Sequence, residues 1–116
     1  MKKTTTRAPL ESALEKKLTA HAVSLGVLTL KLNVVGRRGW PDRVFLYHGN
    51  VLFVELKRAG EKPEPLQEWT HQQLRNHGFE VFVIDDLVKG MVILEEWVNV
   101  ANHKYLATIR PSGGQG

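Results

Sequence analysis

The sequence predicts an α/β fold, ordered as helix, three strands, helix, strand and a last element that suits either helix or strand. Three observations carry this. A helical period of about 3.6 residues runs through residues 9–25 and returns in 64–77. Between them, β-branched and apolar runs at 27–35, 43–48 and 51–57 are separated by glycine-containing breaks. A chain of 116 residues, 42% of them hydrophobic, has material for one core and not for two.

In the first helix, Leu10, Leu14, Leu18, Ala22 and Leu25 recur at helical spacing, with Pro9 suited to the first turn and Gly26 to the stop. VLTLKLNVV, residues 27–35, reads as a strand that GRRGWP ends. RVFLYH and VLFVELK follow, with Gly49 and Asn50 between them as the expected tight turn of a hairpin. The apolar run Val51 to Val54 belongs in a central strand covered on both faces. Glu64 to His77 follows a proline-rich entry and sets Leu66, Trp69 and Leu74 on one stripe, with Gly78 as the stop. FEVFVI, residues 79–84, is a fourth strand. Beyond Asp85 a helix through about Asn99 is expected, although VKGMVIL also suits a strand. MKKTTTR (1–7) and PSGGQG (111–116) hold too little apolar surface to fold and are expected as loose ends of a single domain 1–116 with a core of about 9–100.

There is no cysteine, which excludes disulfides, thiolate metal sites and cysteine nucleophiles. No apolar run is long enough for a signal peptide or a membrane span, so a cytoplasmic protein without a membrane partner is expected. The net charge of +4 leans toward a polyanion, although many soluble basic proteins share it. The five histidines form no H-E-x-x-H pattern, which leaves zinc catalysis unsupported. Trp40, Trp69 and Trp97 lie too far apart for a base-stacking platform. They read as packing, Trp69 by its helical core phase, with a partner or DNA contact as the other reading for Trp40.

Two carboxylates stand where local structure favours something else. Asp42 follows Pro41 just before an apolar strand, and Glu55 interrupts the most apolar run of the chain. Strand alternation sends Glu55 and Lys57 to one face and Leu56 to the other. A solvated Glu–Lys face has the same spacing, but solvated faces do not normally occupy central strands. A buried carboxylate costs several kcal/mol unless a cation, a metal or water meets it. If the strands beginning at Asp42 and ending near Glu55 pair antiparallel, both carboxylates converge at one end of the hairpin as hard oxygen ligands for Mg²⁺ or Mn²⁺. Lys57 would then orient or deprotonate a water attacking a phosphate. Arg37, Arg38 and Arg43, with Lys31 on the preceding strand, form a basic run near Asp42 suited to DNA phosphates, and Lys57, Arg58 and Lys62 extend it.

GRRGWPDR, LFVELKRAG and LQEWTHQQLRNHGFEVFVID together resemble the virus-type replication-repair nuclease family, VRR-NUC, of the PD-(D/E)XK superfamily. The resemblance spans residues 11–85 and includes the Gly39 and Pro41 turn, Gln67, and the pattern of Leu74, Gly78 and Val81. It implies an α-β-β-β-α-β core with a mixed central sheet flanked by helices, and a divalent-metal endonuclease with no small-molecule organic cofactor. It also implies metal ligation by Asp42, Glu55 and the Leu56 carbonyl, with an acid from the first helix. The family's acid, fifteen residues before the helix-ending glycine, falls on Glu11, and helical phase puts Glu11 on the core-facing side, with Glu15 at its margin as runner-up. Gln67 matches the family's helix glutamine, which would border the site and bond the lysine, a metal water or a phosphate. His71 stands one turn further on, although structural or surface roles suit all five histidines better.

Stand-alone relatives resemble Holliday-junction resolvases that act as symmetric dimers. The expectation is therefore cleavage of branched DNA in repair or recombination by a homodimer, in a phage or prophage setting within the bacterial cytoplasm. Met91, Val92, Ile93, Leu94, Trp97 and Val98 are expected to supply the dimer interface. A flap or nicking nuclease, and a non-catalytic DNA-binding protein retaining the core, are the alternatives.

Overall fold

The computed structural model describes residues 7–109, with side chains from Ser12 onward. The expected loose ends lie outside the described residues, except Arg7, which opens the first helix. The chain runs α1 (Arg7–Ser24), β1 (Leu28–Lys31), β2 (Arg43–Tyr47), β3 (Asn50–Leu56), α2 (Pro65–Asn76), β4 (Glu80–Ile84) and α3 (Leu87–Ile109). The strands form one sheet in the order β1-β2-β3-β4. β1, β2 and β3 pair antiparallel, and the α2 crossover brings β4 in parallel to β3, so the sheet is mixed as expected.

Alternation along β3 divides the molecule. Leu52, Val54 and Leu56, with Phe45 and Ile84, join Leu18, Ala22, Leu94, Trp97 and Val98 in a buried core beneath α1 and α3. Burying side chains such as Leu94 and Val98 stabilises the fold by about 1.5–3 kcal/mol each. Glu55, between Val54 and Leu56, points to the opposite face, where α2 lies.

Several local expectations are sharpened or corrected. The last element is the expected helix and not the strand that VKGMVIL also suits, because Leu94, Trp97, Val98 and Ala101 lie on one buried stripe. It continues ten residues beyond Asn99, starting where the Asp86 carboxylate accepts the Lys89 N–H (2.9 Å). Gly90 lets it come close: a Cβ there would stand 2.9 Å from both Leu18 Cδ1 and Ile84 Cγ2. The hairpin turns on His48 and Gly49 (φ 47° and 81°) and not on Gly49 and Asn50, since a two-residue turn of this hand needs positive φ at both positions. The first strand shrinks to Leu28–Lys31, because as an edge strand it pairs only with β2 before the chain leaves the sheet.

The largest revision concerns α2. Its buried face is Thr70, His71 and Leu74, while Leu66 is exposed and Trp69 is 55% exposed. The helix is rotated so that Thr70 and His71 join Leu74 against the sheet, while Leu66 and Trp69 of the expected stripe turn outward. Met91, Ile93, Leu94, Trp97 and Val98, expected at a dimer interface, are largely consumed by the chain's own core. Among the described residues no helix is long and apolar enough to cross a membrane.

Candidate active site

The site is assembled by the ends of β2 and β3 and the first two turns of α2. Pro41 is fully buried and delivers Asp42 to the start of β2. The Asp42 carbonyl accepts the Leu32 N–H (2.8 Å), tying it to the chain leaving β1. Its Oδ2 accepts the Leu56 N–H (2.7 Å), which brings the carboxylate to the residue following Glu55 on β3. Gly39 sets the approach: at φ 89° it packs so closely on α2 that a Cβ would lie 2.8 Å from Leu66 Cγ and 3.0 Å from the Leu66 carbonyl oxygen.

Glu55 is 2% exposed. Its Oε2 accepts a hydrogen bond from Gln67 Nε2 (2.7 Å), and Lys57 Nζ lies 3.7 Å from the same oxygen. Gln67 is the third residue of α2, and its Oε1 accepts the Glu64 N–H (2.9 Å) in a capping box. One amide thus starts the helix and, with its orientation set by that bond, aims its NH₂ at Glu55. Of the partners expected for Gln67, a carboxylate oxygen takes the place of the lysine. Glu55 Oε1 has no hydrogen-bond partner among the described residues, and His71 Nε2 is 3.8 Å away.

The other expected residues divide. Arg43 does not face solvent: its Nη1 bonds Glu15 Oε2 (2.7 Å) and its Nε bonds Thr29 Oγ1 (3.0 Å), with only 14% of the side chain exposed. The pairing opposite Val54 turns it toward α1, so an expected phosphate contact is a strut between β2 and α1. Glu15, the runner-up helix acid, is committed to that strut, with Lys31 3.5 Å from it. The Glu11 side chain lies outside the described residues, although its backbone belongs to α1. Arg37, Arg38 and Lys62 are exposed, and Lys31 is mostly so. Lys57 and Arg58 line an open cleft of about 380 Å³ with Lys17, Asp85 and Asp86. Lys17 and Asp85 were not singled out by sequence spacing, because the cleft joins α1 to the end of β4. Trp40 packs edge-on against Phe53 (6.4 Å between ring centroids), a packing role.

The donor set suits a hard cation. Among the described residues no three Asp, Glu, His or Cys side chains converge, and the oxygen donors at the site are the carboxylates of Asp42 and Glu55, joined through the Leu56 backbone. Mg²⁺ is typically held in that way, with water completing the shell. The buried Glu55 Oε1, lacking a hydrogen-bond partner, is an acceptor such a cation would satisfy.

No family model matches the chain. A relative described as "Putative nuclease p44", from Acyrthosiphon pisum secondary endosymbiont phage 1, is 42% identical over 76 residues, covering 65% of this chain and 82% of that protein. A solved structure described as "VRR_NUC domain" superposes with a TM-score of 0.71 at 32% identity, covering 76% of this chain and 97% of that one.

Proposed function

The chain belongs to the VRR-NUC family, and from that premise we propose that residues 1–116 form one nuclease domain that cleaves DNA, with branched substrates such as Holliday junctions preferred. The observation that carries this reading is Glu55, a carboxylate 2% exposed on a central strand, bonded by Gln67, flanked by Lys57 and followed by a residue whose amide anchors Asp42. Such a group contributes little to a stable core and much to a reactive site.

Asp42, Glu55, the Leu56 carbonyl and Glu11 would hold Mg²⁺ or Mn²⁺. When bound, the cation polarises the scissile phosphate and makes its water more acidic. The chain's own residues position the reaction. Gln67 holds one Glu55 oxygen in place, and Lys57, partly open to the cleft, orients the attacking water and offsets charge gathering on the phosphate. The water oxygen forms the new bond to phosphorus as the bond to the leaving sugar oxygen breaks in line, the attacking water giving its proton to solvent and the departing oxygen taking one from it. Lys31, Arg37, Arg38, Arg58 and Lys62 hold flanking phosphates without reading sequence.

One subunit supplies one centre, and paired cuts across a junction need two related by a twofold axis. Support for a homodimer is the apolar outer side of α3, where Val88, Val92 and Val100 remain exposed. The phage origin of the p44 relative supports a phage or prophage setting in a bacterial cytoplasm.

The test is cleavage of a labelled four-way junction, flap, nick and plain duplex by wild type and Glu55→Gln in Mg²⁺ or Mn²⁺. Paired symmetric nicks in the junction by wild type alone are expected. Preference for the flap or nick would replace the substrate assignment. No cleavage of any structure would overturn the nuclease reading in favour of a DNA-binding protein. A strict monomer in sedimentation at micromolar concentration would remove the dimer.

A further inference from the structure

His71 lies one helical turn beyond Gln67 on the face of α2 that meets the sheet, and it is fully buried. Neither ring nitrogen has a hydrogen-bond partner among the described residues. Glu55 Oε1 is in the same condition, and the nearer ring nitrogen, Nε2, stands 3.8 Å from it. An unsatisfied buried polar group costs about 1–3 kcal/mol, so an apolar side chain of similar volume would serve the fold better. Packing therefore does not account for an imidazole at this position. Its placement against a carboxylate does.

We infer that His71 is a positioning residue that fixes the Glu55 carboxylate for its divalent cation, through Nε2 opposite Oε1. With the proton on Nε2, closing the gap by about 1 Å gives a hydrogen bond of ordinary length. Glu55 is then held at both ends, by Gln67 on Oε2 and by His71 on Oε1. An ionised carboxylate offers roughly four acceptor sites, so two hydrogen bonds leave each oxygen able to bind metal. The residues behind metal-binding carboxylates orient them and set affinity, and losing one weakens binding or activity about 10–100-fold. His71 does not touch substrate in this assignment and acts only through Glu55.

The inference rests on the metal site proposed above, and the experiment separates the two. Mn²⁺ is titrated calorimetrically into wild type, Glu55→Gln, His71→Met and His71→Gln without DNA, and each is melted in EDTA. His71→Met should melt at or above the wild-type temperature and bind Mn²⁺ about 10–100-fold more weakly. His71→Gln, whose amide nitrogen reaches the place of Nε2, should recover most of that loss. The Mn²⁺ concentration for half-maximal cleavage should move in parallel.

Wild-type affinity in His71→Met, with binding abolished in Glu55→Gln, overturns the role of His71 and leaves the metal site standing. No Mn²⁺ binding by wild type overturns both. If His71→Met does not fold, His71→Asn and His71→Gln decide, since Asn reaches the place of Nδ1 instead. Tighter Mn²⁺ binding by Gln than by Asn supports the inference, and equal binding overturns it.

Discussion

Glu55→Gln tests whether the central carboxylate belongs to chemistry or to the fold. The substitution keeps shape and removes one charge. In the folded chain that charge is 2% exposed, accepts one hydrogen bond at 2.7 Å and has an ammonium 3.7 Å away. Burial of an ion costs several kcal/mol. Against this stand about 1.5–3 kcal/mol for the Gln67 bond and about 4 kcal/mol for a charge pair near 4 Å at an effective dielectric of about 20. These terms nearly cancel, and Lys57 can turn toward the cleft once its partner is neutral. Stability in EDTA should therefore change by no more than about 1 kcal/mol, or roughly 3–6 °C for a chain of this size. Added Mn²⁺ should raise the wild-type melting temperature, since a ligand at 100 times its Kd contributes about 2.7 kcal/mol, and leave Glu55→Gln unmoved. Cleavage should be abolished in the variant, with DNA affinity kept or increased. Circular-dichroism melts with and without Mn²⁺, beside a gel cleavage assay, supply the numbers. A loss of about 3–5 kcal/mol in EDTA, the usual result of breaking a structural buried pair, would refute the reasoning. So would an intact Mn²⁺ shift in the variant.

Four further substitutions have expected outcomes. Asp42→Asn should lose cleavage yet melt close to wild type, because the amide oxygen can still accept the Leu56 N–H; a large drop in melting temperature would make Asp42 structural. Arg43→Met should destabilise by about 1–3 kcal/mol through loss of the Glu15 partner without changing DNA affinity, whereas Arg38→Ala should leave the melt unchanged and lower the salt slope of DNA binding by about one; filter binding across a salt series tells them apart. Gly39→Ala should destabilise by about 2 kcal/mol or more, from its positive φ and its 2.8 Å approach to Leu66, and should weaken cleavage by displacing the turn that carries Asp42; a denaturant melt equal to wild type would contradict it.

Local periodicity by itself determined the order of elements as far as β4, the helix stops at Gly26 and Gly78, and the shared face of Glu55 and Lys57, because each depends on neighbours a few residues away. It also marked Asp42 and Glu55 as carboxylates out of place, through the apolar residues around them. What it left open depends on partners far along the chain. Pairing of Arg43 opposite Val54 decides that this arginine braces α1 and does not reach the surface, and no local signal carries that register. The rotation of α2 escapes local periodicity for the same reason: Leu66 and Trp69 mark an apolar stripe, but the helix meets a sheet face that presents Glu55. A carboxylate on that face favours Gln67, and with it His71 one turn on, over the apolar stripe. Composition could nominate the acid, but only the tertiary structure decided what surrounds it, because a buried charge selects its neighbours through space and not along the chain.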